Sequence, residues 1–131
     1  MENKLKKTMI LLSWIIFVMM CSVLNFNNFN SLISKIPDAS NLFHIFSYGF
    51  MSMLVFNIFY DKYKNKISEL YCMSLCICGF IGFANELLQN YLPYRSYTNE
   101  DIILNIIGAF IGCVSSHLGI IKKSHSNQIT S

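Results

Sequence analysis

The chain has 131 residues, room for one domain, with 53% hydrophobic and only 13% charged residues and a mean hydropathy of +0.44. Soluble domains usually carry about a quarter charged residues, so this composition excludes an ordinary soluble protein and points to a membrane protein. The formal charge of +3 does not mark a nucleic-acid binder, because the ten basic residues fall in short clusters between apolar runs and not along one face.

Four segments approach the roughly 20 helical residues needed to cross a bilayer core about 30 Å thick. The first, residues 8–24, follows Lys4, Lys6 and Lys7 as a signal-peptide core would. No small-x-small cleavage pattern comes after it, so an uncleaved helix is expected. Residues 25–40, "NFNNFNSLISKIPDAS", alternate Asn and Phe in the manner of an interfacial segment. The second span, residues 41–60, is uncharged apart from His44, and Lys62, Lys64 and Lys66 follow it. The third, residues 70–92, is apolar until Glu86. A loop, "PYRSYTNE", then leads to Asp101 and the uncharged fourth span, residues 102–121. Tyr91, Tyr94 and Tyr97 suit the membrane interface, and residues 122–131 are expected to form a flexible tail. The fold class expected is all-α: one polytopic membrane domain over residues 1–131, a bundle of four transmembrane helices.

Orientation follows from the lysines. With four spans, the clusters at Lys4 to Lys7, Lys62 to Lys66 and Lys122 to Lys123 share one side of the membrane and hold eight of the ten basic residues. Lys35 and Arg95 are alone on the other side. The positive-inside rule then puts both termini in the cytoplasm. Five cysteines, all inside apolar runs and without a CxxC, suggest neither disulfides nor zinc.

Polar and small residues recur at helical spacing. Asn41, His44, Tyr48 and Ser52 form such a stripe in the second span, and Gly79, Gly82, Glu86 and Gln89 one in the third. In the fourth, Asp101, Asn105, Gly108, Gly112, Ser115 and Gly119 do the same. Small residues let membrane helices approach, so the stripes should face the bundle interior, with Gly79, Gly82, Gly108 and Gly112 as packing positions. The polar members share one depth near the outer end. Glu86 is the most constrained: a charged group facing lipid at a helix centre costs about 2.5–3.5 kcal/mol, less near the interface. Arg95 could take one carboxylate bidentately or bridge two.

These residues resemble the pattern of the VanZ family of small bacterial membrane proteins. That pattern is Glu-x-x-Gln, a proline, an arginine, then Asp-x-x-x-Asn-x-x-Gly-x-x-x-Gly. Here Glu86, Gln89, Pro93, Arg95, Asp101, Asn105, Gly108 and Gly112 supply it, and "HIFSY" from His44 to Tyr48 is similar to an upstream element. The chain departs from the pattern at Ser40 and Asn41, where the family often has Asp-Lys. It departs again at Asn85, often acidic in the family, and at Tyr94, commonly glycine. The resemblance implies a multi-pass protein of the bacterial cytoplasmic membrane, in a family whose namesake is associated with low-level resistance to the glycopeptide teicoplanin.

Three readings of the cluster stand side by side. In the first it binds an anionic or lipid-linked ligand at the outer face, a cell-wall precursor or a lipoglycopeptide tail. Candidate ligand-binding residues are then His44, Tyr48, Glu86, Gln89, Arg95, Asp101 and Asn105, with the bilayer as the other partner. In the second it is an enzyme on a lipid-linked substrate, with His44 or Glu86 as general base, although no HExxH or GxSxG signature occurs. In the third it is scaffold, an ion-paired cluster pinning the hairpin between the third and fourth spans. His44, Glu86 and Asp101 can each ligate a metal, but their dispersed spacing does not call for a metal or other cofactor.

Overall fold

The computed structural model describes residues 2–23, 39–93 and 99–129. Four helices account for nearly all of them: α1 (Glu2–Val23), α2 (Ala39–Tyr63), α3 (Ile67–Asn90) and α4 (Asn99–Ile129). Each is long and apolar enough to cross a membrane. Lipid offers no hydrogen bonds, so an apolar run there must satisfy its backbone internally, which a helix does. Among the described residues there is no strand.

Polar contacts fix an up-down-up-down order. Lys7 Nζ lies 3.5 Å from the Asn57 carbonyl and Trp14 Nε1 donates to the Ser47 carbonyl at 3.0 Å, so α1 and α2 are antiparallel. Asn57 Nδ2 donates to Ser116 Oγ at 3.0 Å, and His44 meets Asn105, so α2 and α4 run parallel. Tyr71 Oη, 3.2 Å from His117 Nδ1, pairs α3 with α4 head to tail. In consequence all eight lysines of the described residues gather at one end of the bundle, opposite His44, Glu86 and Asp101.

The helix α2 is the centre. Half of its apolar window is buried, against 11% for α1. Its closest neighbour is α4, and glycine makes the approach possible. A Cβ on Gly108 would fall 2.8 Å from the Ile45 Cα, and one on Gly112 would fall 2.8 Å from the Gly49 carbonyl carbon. Backbone therefore packs on backbone, as small-xxx-small spacing allows. Around this seam Tyr48, Met51, Val18, Cys78 and Ala109 form one apolar core, and Phe56, Leu70 and Cys113 another nearer the lysine end. Outward faces carry bare apolar side chains, among them Phe46, Phe80, Phe110 and Leu118, a surface suited to lipid.

Several expected boundaries and faces shift. The third helix stops at Asn90, and Tyr91 and Leu92 form a turn whose N–H groups donate to the Leu88 and Gln89 carbonyls. Pro93 disfavours helical backbone in the residue before it, which accounts for the earlier stop. The fourth helix continues to Ile129, so most of the expected flexible tail is helical, no Gly or Pro interrupting it after Gly119. On α4 the buried stripe runs Asn105, Gly108, Ala109, Gly112, Cys113 and Ser116, while Ser115 and Gly119 are exposed. The small residues chosen from spacing sit on one edge of the true face, because Ala109 and Cys113 extend it the other way round the helix. Gly79 is also not a contact residue, since a Cβ there would meet nothing within 4 Å, whereas Gly82 is one. Asn41 is exposed at the start of α2. The expected interfacial segment lies outside the described residues up to residue 38.

Candidate functional site

The site sits where the N-terminal turns of α2 and α4 meet the last turns of α3. The inward face of α2 presents His44 and, one turn deeper, Tyr48. From α3 come Glu86 and Gln89, and α4 opens with Glu100 and Asp101 before turning Asn105 inward. A carboxylate in a first helical turn is favoured by the partial positive charge of the backbone N–H groups there.

Side chains 42 to 61 positions away from His44 converge on it. His44 Nδ1 lies 2.9 Å from Asn105 Oδ1, and His44 Nε2 lies 3.8 Å from Asp101 Oδ1. One donor atom each from His44, Glu86 and Asp101 fall within 4.8 Å of one another. Glu86 is 0% exposed and Asn105 1%, His44 and Gln89 are buried, and Asp101 is half-buried at the rim. The shared depth of the polar stripes brings these three metal-capable residues to one end, and the helix packing brings them together.

Gly82 makes room beneath them. A Cβ there would come 3.1 Å from Asn105 Nδ2 and 3.2 Å from Tyr48 Cε1. The Tyr48 hydroxyl, beside Asn85 and Glu86, is fully buried without a hydrogen bond of good geometry, and Asn105 Nδ2 has no partner among the described residues. Buried polar atoms are normally satisfied, so two such atoms around one cluster are unusual for pure scaffold.

Sequence reasoning missed the support behind the cluster. Ser22 Oγ donates to Asn85 Oδ1 at 2.5 Å, both residues buried, which ties α1 to the turn of α3 that carries Glu86. The available signal was the apolar face of α1, whose spacing from Leu11 through Ile15 and Val18 reaches Ser22. Arg95, Tyr94 and Tyr97 lie outside the described residues.

A family model described as VanZ/LLP1 matches residues 2–120. The chain belongs to the VanZ/LLP1 family. This VanZ/LLP1 chain is also similar to an uncharacterized protein of Schizosaccharomyces pombe (strain 972 / ATCC 24843), 30% identical over 74 residues. That match covers 56% of the chain but only 43% of the relative, so the chain spans less than half of that protein's length. No solved structure matches.

In this VanZ/LLP1 bundle the site combines one imidazole, two carboxylates, two carboxamides and a phenol at one end of the membrane-crossing helices. Such a set can hydrogen-bond a polar head group, hold a cation, or move a proton through His44.

Proposed function

We propose that this VanZ/LLP1 protein binds the anionic head group of a lipid-linked envelope ligand at the His44–Glu86–Asp101–Asn105 end of its bundle, on the outer face of a bacterial cytoplasmic membrane. One observation carries the reading: three helices deliver buried polar side chains to a single end, opposite the lysines. Polar groups inside membrane helices are costly and usually mark a ligand or ion pathway. Arg95, in the five-residue stretch that joins Pro93 to Asn99, supplies the cation that takes the anion, and its fork suits a phosphate. His44, Gln89, Asn105 and the Tyr48 hydroxyl orient the bound group. Contact with a lipid-linked cell-wall precursor or a lipoglycopeptide at that face would connect the protein to teicoplanin susceptibility.

A second reading is favoured by the convergence of His44, Glu86 and Asp101. Here the protein is a hydrolase of a lipid-linked substrate, in which His44 or Glu86 takes a proton from an attacking water. The test is binding of a polyprenyl phosphate to the protein in nanodiscs, followed by native mass spectrometry. Affinity should fall about tenfold in Arg95→Lys, which keeps the charge but loses the fork, with thermal stability unchanged. Unaltered affinity removes the binding reading, and release of inorganic phosphate by the wild type establishes the hydrolytic one.

A further inference from the structure

We infer that His44, Glu86 and Asp101 form a site for a divalent transition-metal cation, ligated by His44 Nε2 and one oxygen of each carboxylate. The argument begins at the other imidazole nitrogen. Asn105 Oδ1 stands 2.9 Å from His44 Nδ1, and an amide oxygen can only accept, so Nδ1 carries the proton. In the neutral ring Nε2 then presents a lone pair. Asp101 Oδ1 lies 3.8 Å from it, beyond hydrogen-bond distance. Glu86 completes a triangle, one ligand atom from each of the three residues lying within 4.8 Å of the others. A cation at the centre would be within reach of all three side chains.

The surroundings fit that role. Histidines that bind metals almost always donate their second N–H to a carbonyl or carboxylate, which fixes tautomer and ring orientation, and Asn105 does this here. Asn105 is itself 1% exposed and held against Gly82, so the ring has little freedom to turn. Three ligand atoms sharing a cation at about 2.0–2.2 Å stand roughly 3.3–3.8 Å apart, so the trio closes on one ion by side-chain movements of up to about an ångström. One imidazole with two carboxylates favours manganese or zinc over magnesium or calcium, which prefer oxygen alone. Two carboxylates neutralise the ion, and the half-exposed edge at Asp101 leaves positions open to water or to an oxygen of a bound head group.

The inference shares its residues with the proposed head-group binding but does not require it, so the test uses metal alone. Wild-type protein in lipid-free detergent is titrated with Mn²⁺ and followed by electron paramagnetic resonance. One ion per chain should bind, and spin-echo modulation should show a coupled imidazole ¹⁴N. His44→Gln should abolish that coupling and weaken binding at least tenfold. Asn105→Leu should weaken binding about tenfold while the ¹⁴N signal persists, as expected of a positioning residue. The spectrum of the wild type needs no variant to fold, so its failure is decisive: no stoichiometric Mn²⁺, or bound Mn²⁺ without coupled nitrogen, overturns the site. Metal binding with no affinity for polyprenyl phosphate would instead retire the head-group reading and leave this one standing.

Discussion

Ser22 and Asn85 meet in the interior of the bundle, the serine hydroxyl 2.5 Å from the amide oxygen, across 63 positions of chain. The same hydroxyl reaches the Met19 carbonyl at 2.7 Å, so its one hydrogen is shared between α1 and α3. The contact fastens the least buried helix to the residue next to Glu86. A neutral amide here adds no third negative charge beside Glu86 and Asp101.

A double-mutant cycle on this pair should show coupling. Ser22→Ala leaves a buried amide oxygen without its donor, and Asn85→Ala removes the acceptor. Hydrogen bonds between membrane helices measured this way average about 0.6 kcal/mol and reach about 1.7 kcal/mol. We expect coupling in the upper half of that range because both residues are buried, read as thermal or denaturant unfolding in detergent. Strict additivity would show that the contact contributes nothing to holding α1.

Glycine substitutions should divide sharply. Gly108→Leu and Gly112→Leu drive a side chain into the α2 backbone and should prevent assembly, seen as loss of the monodisperse peak in size-exclusion chromatography. Gly79→Ala meets open space and should be neutral or stabilising by up to about 1 kcal/mol, the helix-propensity difference. Ile107→Leu and Phe110→Leu, on exposed faces of α4, should be mild. Equal damage from Gly79→Ala and Gly112→Leu would contradict the seam between α2 and α4.

Much of this arrangement was legible in the chain. Apolar length and the lysine clusters marked four helices, and the spacing of His44 and Tyr48, of Glu86 and Gln89, and of Asp101 and Asn105 placed their side chains inward. The family pattern covered the same residues. What failed had a common cause. Spacing defines a stripe relative to itself but not its centre, so Gly79, Ser115 and Gly119 were drawn onto faces that the neighbouring helices do not cover. Pairings between helices, such as Ser22 with Asn85 or Asn57 with Ser116, depend on the relative rotation of two cylinders, and one periodic pattern carries no information on that. The shared depth of the polar stripes already placed His44, Glu86 and Asp101 at one end, while the distances between them depend on that same rotation.

Tyr48→Phe separates a ligand-binding role from scaffold. The hydroxyl is buried without a well-formed hydrogen bond, and removing an unsatisfied polar group is usually neutral or stabilising. The melting temperature should therefore hold or rise. If the hydroxyl serves a bound head group, affinity for polyprenyl phosphate should drop about tenfold in the same variant, near 1.4 kcal/mol. A fall in melting temperature would mean that Tyr48 is part of the scaffold.

The orientation of the bundle decides which compartment the site serves, and two exposed positions at opposite ends of α3 can read it. Asn90→Cys lies at the site end and Lys64→Cys, just before α3, at the lysine end. In intact cells a membrane-impermeant maleimide should label Asn90→Cys and spare Lys64→Cys, with the second labelled only after lysis. The parent protein is the control. Its five cysteines lie within the apolar spans, Cys78 and Cys113 buried but Cys72 and Cys76 exposed on α3, so its labelling in each condition is subtracted from that of the variants. The expectation rests on the lysines, since basic residues are retained on the cytoplasmic side during insertion. Labelling of Lys64→Cys alone from outside would turn the His44–Asp101 end toward the cytoplasm. Every role at the outer face, including contact with an extracellular glycopeptide, would then be lost, while the metal site would remain testable as it stands.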